Sequence, residues 1–270
     1  ELYQAENMPD SIPSTPESAE FRADMIAANL QEWNGIDYTD FSEFDKKNIR
    51  AHYAGLVTLI DDCVGRIIDG LKHSGKFDNT IIIFTSDHGD FLGDYDLIGK
   101  YYFFEKAMHV PLIISHPEQR QSSVVDNLVS LTDVTATIRQ FANIDVRYNN
   151  NDSLPLPGLQ QSDNMAREYI FGATSEGFMI TTDEWKVCRY HNGQTALYHI
   201  YEDPHEQHNL INDQRSPLVL QKLDRLMQAE ILNAIRDSVR DRMVNPELLD
   251  PTSYDSQPGS KRPYPFPITQ

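Results

Sequence analysis

Cysteine is nearly missing: the chain has only Cys63 and Cys188, and neither sits in a C-x-x-C pattern. That excludes a disulfide framework and a thiol-rich metal site, and both residues read as buried thiols. Positive charge is scarce too. Lys and Arg total 23 against 41 Asp and Glu, a formal net charge of −18. A nucleic-acid partner is excluded, because phosphate binding needs concentrated basic surface. An anionic substrate would have to meet local positive charge against that field. No apolar run approaches the roughly 18 residues of a membrane span. The chain also has no G-x-S-x-G elbow, no phosphate-cradling G-x-x-x-x-G-K-[ST] loop and no Ser-His-Asp arrangement, so it shows no nucleophile of its own. No signal peptide is visible and the first residue is Glu1 rather than Met. The natural start is therefore expected upstream, and cytoplasm and periplasm both stay open.

What is present is concentrated in residues 80–105. A β-branched apolar run, Thr80 to Phe84, ends in a polar cluster holding Asp87, His88 and Asp90. A loop with Gly89, Gly93 and Gly99 follows, and then Lys100. A buried strand that delivers functional side chains into a loop at its C-terminal end is where an open α/β sheet builds a site. Carboxylate plus imidazole is a metal-ligand pair, and a nearby lysine is a ready anion partner. On a strand, Asp87 and His88 would point to opposite faces; Gly89 permits the turn that lets them converge. The other reading is a turn in which Asp87 caps backbone N–H groups and His88 is a surface residue. Lys100 reads either as a solvated lysine or as an ammonium in the semi-apolar wall of Tyr101–Phe104, whose rings read as core. Asp90, Asp94 and Asp96 could extend a metal shell or be solvated loop carboxylates. His109 fits a surface, core or supporting position.

Elsewhere the periodicities define an α/β chain. Residues 1–44 read as irregular wrapping with a short helix at 25–30. Steps of three and four from Ile49 through Tyr53, Leu56, Ile60, Val64 and Ile67 to Leu71 predict a helix over 45–71, capped by Asp45 and packed on a sheet. Strands follow at 80–85 and 110–115, and a helix at 133–142. Together they predict a mostly parallel sheet flanked by helices. The Asn-, Ser- and Pro-rich stretch 145–166 reads as a connector, placing a boundary near residue 150. Short strands at 168–173, 177–182, 184–190 and 196–201, with a turn at Asn192-Gly193, predict a small antiparallel sheet. A helix from Pro217 to about 240 completes a subdomain spanning 151–243. Residues 244–270, with six prolines, read as an extended tail.

These residues resemble the sulfatase family of the alkaline-phosphatase superfamily, in particular its phosphonate monoester hydrolase and choline-sulfatase-like branch. The resemblance rests on Ser86-Asp87-His88-Gly89-Asp90, Leu92-Gly93-Asp94, Gly99-Lys100, Phe103-Phe104-Glu105 and Val110-Pro111-Leu112-Ile113. Flanking matches are Leu131-Thr132-Asp133-Val134 with Thr137, Trp185-Lys186, Leu197-Tyr198, Asp203-Pro204, Glu206 and Asn209-Leu210. Ala136 stands where the family pattern has proline, and His109 where Arg is common. The resemblance implies an alkaline-phosphatase-like fold, here incomplete, and hydrolysis of sulfate esters or phosphonate and phosphate monoesters. It implies Asp87 and His88 as metal ligands and Lys100 as the residue facing the transferred group. One divalent ion follows, Ca²⁺ or Mn²⁺ first, then Zn²⁺ or Fe²⁺. The family nucleophile is a formylglycine from a C/S-x-P-x-R motif, which this chain lacks. It therefore reads as the C-terminal half of such an enzyme, inactive alone, with a small anionic ester as substrate, its own N-terminal half as partner and the tail as a route to a homo-oligomer. The rival readings are a non-catalytic interaction subunit and a related metal-dependent phosphatase or phosphodiesterase.

Overall fold

The computed structural model describes residues 2–32, 35, 37–144, 153–159 and 167–240. The expected boundary near 150, most of the connector and the whole tail from 244 lie outside them. The helices are α1 (Pro16–Glu32), α2 (Glu43–His73), α3 (Glu105–Met108), α4 (Leu131–Phe141) and α5 (Ser216–Arg240). Strands β1 (Ile82–Thr85) and β2 (Leu112–Ser115) form one sheet. Strands β3 (Ile170–Thr174), β4 (Gly177–Thr181), β5 (Trp185–Tyr190) and β6 (Thr195–His199) form the other, in that order. The chain forms two compact units, residues 1–220 and 221–270. All that follows concerns the first.

The α/β class with a small antiparallel sheet is observed. Within it β1 and β2 pair antiparallel, Ile82 opposite Ser115 and Thr85 opposite Leu112, rather than in the parallel layer expected. A parallel pair needs a crossover, usually a helix lying along the sheet. Between β1 and β2 the chain spends its residues on a coiled loop and the four-residue α3, then re-enters the sheet from the end it left. The second sheet is a meander. Gly193, at φ +87°, supplies the left-handed residue that its β5–β6 turn requires.

Helix α2 starts where a capping box forms. Ser42 is the N-cap, its side chain accepting from the Asp45 N–H, while the Asp45 carboxylate accepts from the Ser42 N–H. Asp45 is thus the reciprocal partner of the cap and not the cap. The apolar stripe of α2 is where the periodicity put it, yet among the described residues no sheet covers it: Leu56, Ile60 and Ile67 are 49–64% exposed. Cys63, on the same uncovered stretch, is exposed, against the reading of two buried thiols; Cys188 is buried. Among the described residues no helix is long and apolar enough to cross a membrane.

The core lies instead between the loop after β1, α1 and the inner face of β4–β6. Phe21 and Met25 of α1 meet Phe91, Tyr95, Leu97 and Tyr102–Phe104, which pack on Met179, Cys188, Tyr190 and Tyr198. Phe21 stacks on Tyr102 with centroids 3.9 Å apart, and Tyr95 on Phe104 at 4.4 Å. Burying one such ring is worth about 1.5–3 kcal/mol. The loop is thereby part of the core.

Candidate active site

Strand β1 ends at Thr85, and the next four residues fold back on themselves. Ser86 Oγ donates to His88 O at 2.9 Å, and the His88 N–H donates to Asp87 Oδ1 at 3.0 Å. The Gly89 N–H donates to Ala107 O at 2.8 Å, tying the turn to α3. The approach is so close that a Cβ on Gly89 would lie 2.0 Å from Lys106 O. This turn cancels the strand alternation and brings Asp87 and His88 to one side, Oδ2 3.3 Å from Nε2. Gly89→Ala is expected to cost about 1–3 kcal/mol through overpacking against a backbone atom that cannot step aside. Equilibrium urea unfolding checks it; a loss within a few tenths of a kcal/mol would contradict this packing.

Lys100 reaches the same point, its Nζ against His88 Nε2. The ring's other nitrogen donates to Gly89 O at 2.7 Å. A carbonyl only accepts, so Nδ1 carries the proton and Nε2 presents its lone pair outward. Burial pushes the Asp87 carboxyl up, but its backbone hydrogen bonds and the His88 and Lys100 charges outweigh this and hold it below the ordinary carboxylate value. Its side chain is 82% exposed against 33% for His88, so the pair is reachable from solvent.

The loop between them is wound through left-handed backbone. Leu92, Tyr95, Asp96 and Tyr101 have positive φ, as do Gly93 and Gly99. Non-glycine residues hold such angles only where their surroundings over-determine them, and such strain gathers at functional sites. Here the restraints are explicit. Asp90 Oδ1 accepts from the Leu92 and Gly99 N–H groups. Asp94 Oδ1 accepts from the Ile12 N–H at 2.8 Å and from Arg50 Nη2 at 2.6 Å, and Asp96 pairs with Lys46. Arg50, buried, also donates to Leu92 O and Pro9 O. The three aspartates therefore hold the loop. Arg50 and Lys46 went unnoticed in the sequence, because nothing local links helix α2 to a loop more than 40 residues on. His109 is a surface residue, Nδ1 3.4 Å from Glu105 Oε2. His191 and His208 likewise pair with nearby surface carboxylates.

Chemically the site offers one carboxylate, one imidazole lone pair and one ammonium at a shared point. The first two suit a divalent cation and the third an anion. Two donors are part of a shell, and among the described residues no group of three or more His, Cys, Asp or Glu gathers to complete one.

Several known proteins are similar to this chain. The sulfatase family model matches residues 6–144, and the N-sulphoglucosamine sulphohydrolase C-terminal model matches residues 93–233. An arylsulfatase of Clostridium perfringens is 32% identical over 178 residues, 62% of this chain and 37% of the relative. Arylsulfatase K of Gallus gallus is 27% identical over 225 residues, 74% and 42% of the two chains. The crystal structure of the phosphonate monoester hydrolase of Agrobacterium radiobacter superposes with a TM-score of 0.67 at 25% identity, over 87% of this chain and 52% of that one. The chain spans about two fifths of the length of these curated relatives.

Proposed function

Because the chain belongs to the sulfatase family, we propose that it supplies the cation- and anion-binding part of a hydrolase of sulfate esters or phosphonate and phosphate monoesters. The observation that carries this reading is the convergence of Asp87 Oδ2, His88 Nε2 and Lys100 Nζ at the exit of β1. Asp87 and His88 would hold one divalent ion, which when bound would supply Lewis-acid polarisation of the ester oxygens. The bond from Nδ1 to Gly89 O places a ring proton on Nδ1 and leaves Nε2 as the nitrogen that a cation would take. Asp87 stays ionised well into the acid range. Lys100 gives the anion a fixed positive charge in a site whose global field would repel it. Ca²⁺ and Mn²⁺ are the first candidates and Zn²⁺ and Fe²⁺ the next, the imidazole favouring the transition ions.

The nucleophile and the rest of the metal shell belong, in this reading, to a complementary N-terminal half carrying a formylglycine. Two features support such a partner. Strands β1 and β2 are apolar up to Thr85 and Ser115 at their ends, as strands covered on both faces are, yet none of their residues is fully buried. The apolar stripe of α2 is bare as well. Accordingly, the 270-residue chain by itself should leave aryl sulfates and phosphonate monoesters intact; turnover that survives purification and vanishes in Asp87→Ala would overturn that.

The cation reading is tested by Mn²⁺ titration calorimetry. His88 Nε2 is shared with Lys100, so the two substitutions should act oppositely. Asp87→Ala is expected to weaken Mn²⁺ at least about tenfold. Lys100→Met, which removes a competing proton donor and a positive charge, should strengthen it. Equal affinity in all three proteins would remove the site from consideration.

A further inference from the structure

Lys186 and Glu206 are wholly buried, and neither belongs to the site described above. Lys186 lies on β5 with Cys188 and Tyr190 on the same, inner face. Its ammonium donates to Phe103 O at 2.9 Å, Glu105 Oε1 at 2.5 Å and Glu206 Oε1 at 2.8 Å, which uses all three of its protons. The second oxygen of Glu206 accepts from the Glu105 N–H at 2.7 Å, at the first residue of α3. Glu206 is itself held at φ +50°, an angle that a buried non-glycine residue keeps only under restraint.

Apart from the Lys186–Glu206 pair itself, these bonds end on the stretch from Lys100 to the start of α3. At one end Lys100 touches His88. At the other, Ala107 O takes the Gly89 N–H, and the Lys106 carbonyl leaves no room beside Gly89. The placement of α3 therefore sets the turn that aims Asp87 and His88. A buried ion pair is weak ground for stability, since apolar residues of equal volume often serve as well. A fully used ammonium and a strained carboxylate instead fix an orientation. We propose that Lys186 and Glu206 are positioning residues for the Asp87–His88–Lys100 site, acting through Glu105 and helix α3. The inference rests on reading those three residues as a site.

The test uses the full chain and two variants, Glu206→Asp, which keeps the charge but shortens the reach, and the apolar double variant Lys186→Met/Glu206→Leu, which keeps the volume. Amide hydrogen exchange is followed at Gly89 and at Val187 and Leu197 within the sheet, with Mn²⁺ affinity alongside. The double variant also takes the ammonium from Glu105, so it is expected to melt roughly 10 °C below the parent and to stay folded at 25 °C. Gly89 exchange should rise about fivefold or more beyond any rise at the sheet amides, the signature of one local hydrogen bond weakened. Mn²⁺ affinity should fall roughly tenfold. Unchanged Gly89 exchange in a folded variant would overturn the proposal, and so would a rise shared equally by the sheet amides, which marks a structural role alone. A parent chain that binds no Mn²⁺ would refute the site reading itself, and the exchange comparison reports separately from that.

Discussion

Asp133→Ala is expected to destabilise the chain by about 3–5 kcal/mol, the usual cost of removing one partner from a buried charged pair. Asp133 is 2% exposed and begins as a helix-capping residue: its Oδ2 accepts from the Ser130 N–H at 2.9 Å, closing the capping box of α4. It does more than cap. The same oxygen takes Arg167 Nε at 2.8 Å, Oδ1 pairs with Arg167 Nη2, and Oδ1 also accepts from the Leu154 N–H at 2.8 Å. One turn on, Thr137 Oγ1 accepts from the Leu156 N–H. Helix α4 and segments 153–159 and 167 onward are thus joined through one carboxylate. Removing it takes the paired carboxylate from Arg167 and the acceptor from two backbone donors in a largely buried place. At this chain length the loss corresponds to a fall in Tm of roughly 10 °C. Thr135→Ala, exposed on the same helix, is the control and should stay within about 0.5 kcal/mol. A loss below about 1 kcal/mol for Asp133→Ala, measured by urea unfolding, would mean that the network does not hold these segments.

Much of this was legible from local pattern. The apolar run into Ser86-Asp87-His88, the helix periodicity over Ile49–Leu71 and the Asn192-Gly193 turn each encode an element through residues close in sequence, and each element is there. Tyr102, Phe103 and Phe104 read as core and are core. What local pattern does not carry is partnership at a distance. The stripe on α2 states that something should cover it, not what, and among the described residues nothing does. The strand run Ile82–Thr85 does not say which way its neighbour points; that depends on how the chain between them is spent. Asp90, Asp94 and Asp96 read either as ligands or as solvated loop carboxylates, because an aspartate bonding protein groups and one bonding a cation are the same letter. The partners that hold Asp94 and Asp96, Arg50 and Lys46, come from helix α2, beyond the reach of local pattern. Lys186 did leave a signal: the alternation of β5 puts it on the face of Cys188 and Tyr190, and a lysine facing inward requires buried carboxylates.

Those carboxylates give the second large effect, an acid limb that belongs to Glu105. Burial pushes its carboxyl up, but the His109 hydrogen bond and the Lys186 ammonium prevail and bring it down to about 2 from an ordinary 4.5. The folded state therefore binds this proton less readily than the unfolded one. Stability from the ionised group is fully present above about pH 4.5 and is lost as pH falls toward 2. The amount is about 3 kcal/mol, from roughly 1.4 kcal/mol per unit of displacement. Neighbouring groups act in other windows. Burial raises Glu206 despite its lysine, so its charged form costs stability above the ordinary carboxylate range and relaxes on acidification. His109 is raised by the Glu105 hydrogen bond, so its contribution is complete below the ordinary histidine value and fades as pH rises through the folded one. Between pH 4.5 and 2, then, Glu105 alone of the three pulls stability down. Urea unfolding of the parent at pH 6, 4.5, 3 and 2 should show a loss about 3 kcal/mol steeper than in Glu105→Gln, which starts lower at pH 6 because Lys186 has lost a charged partner. Parallel curves for the two proteins would mean that Glu105 titrates as a free carboxylate and that the Lys186 ammonium does not hold it.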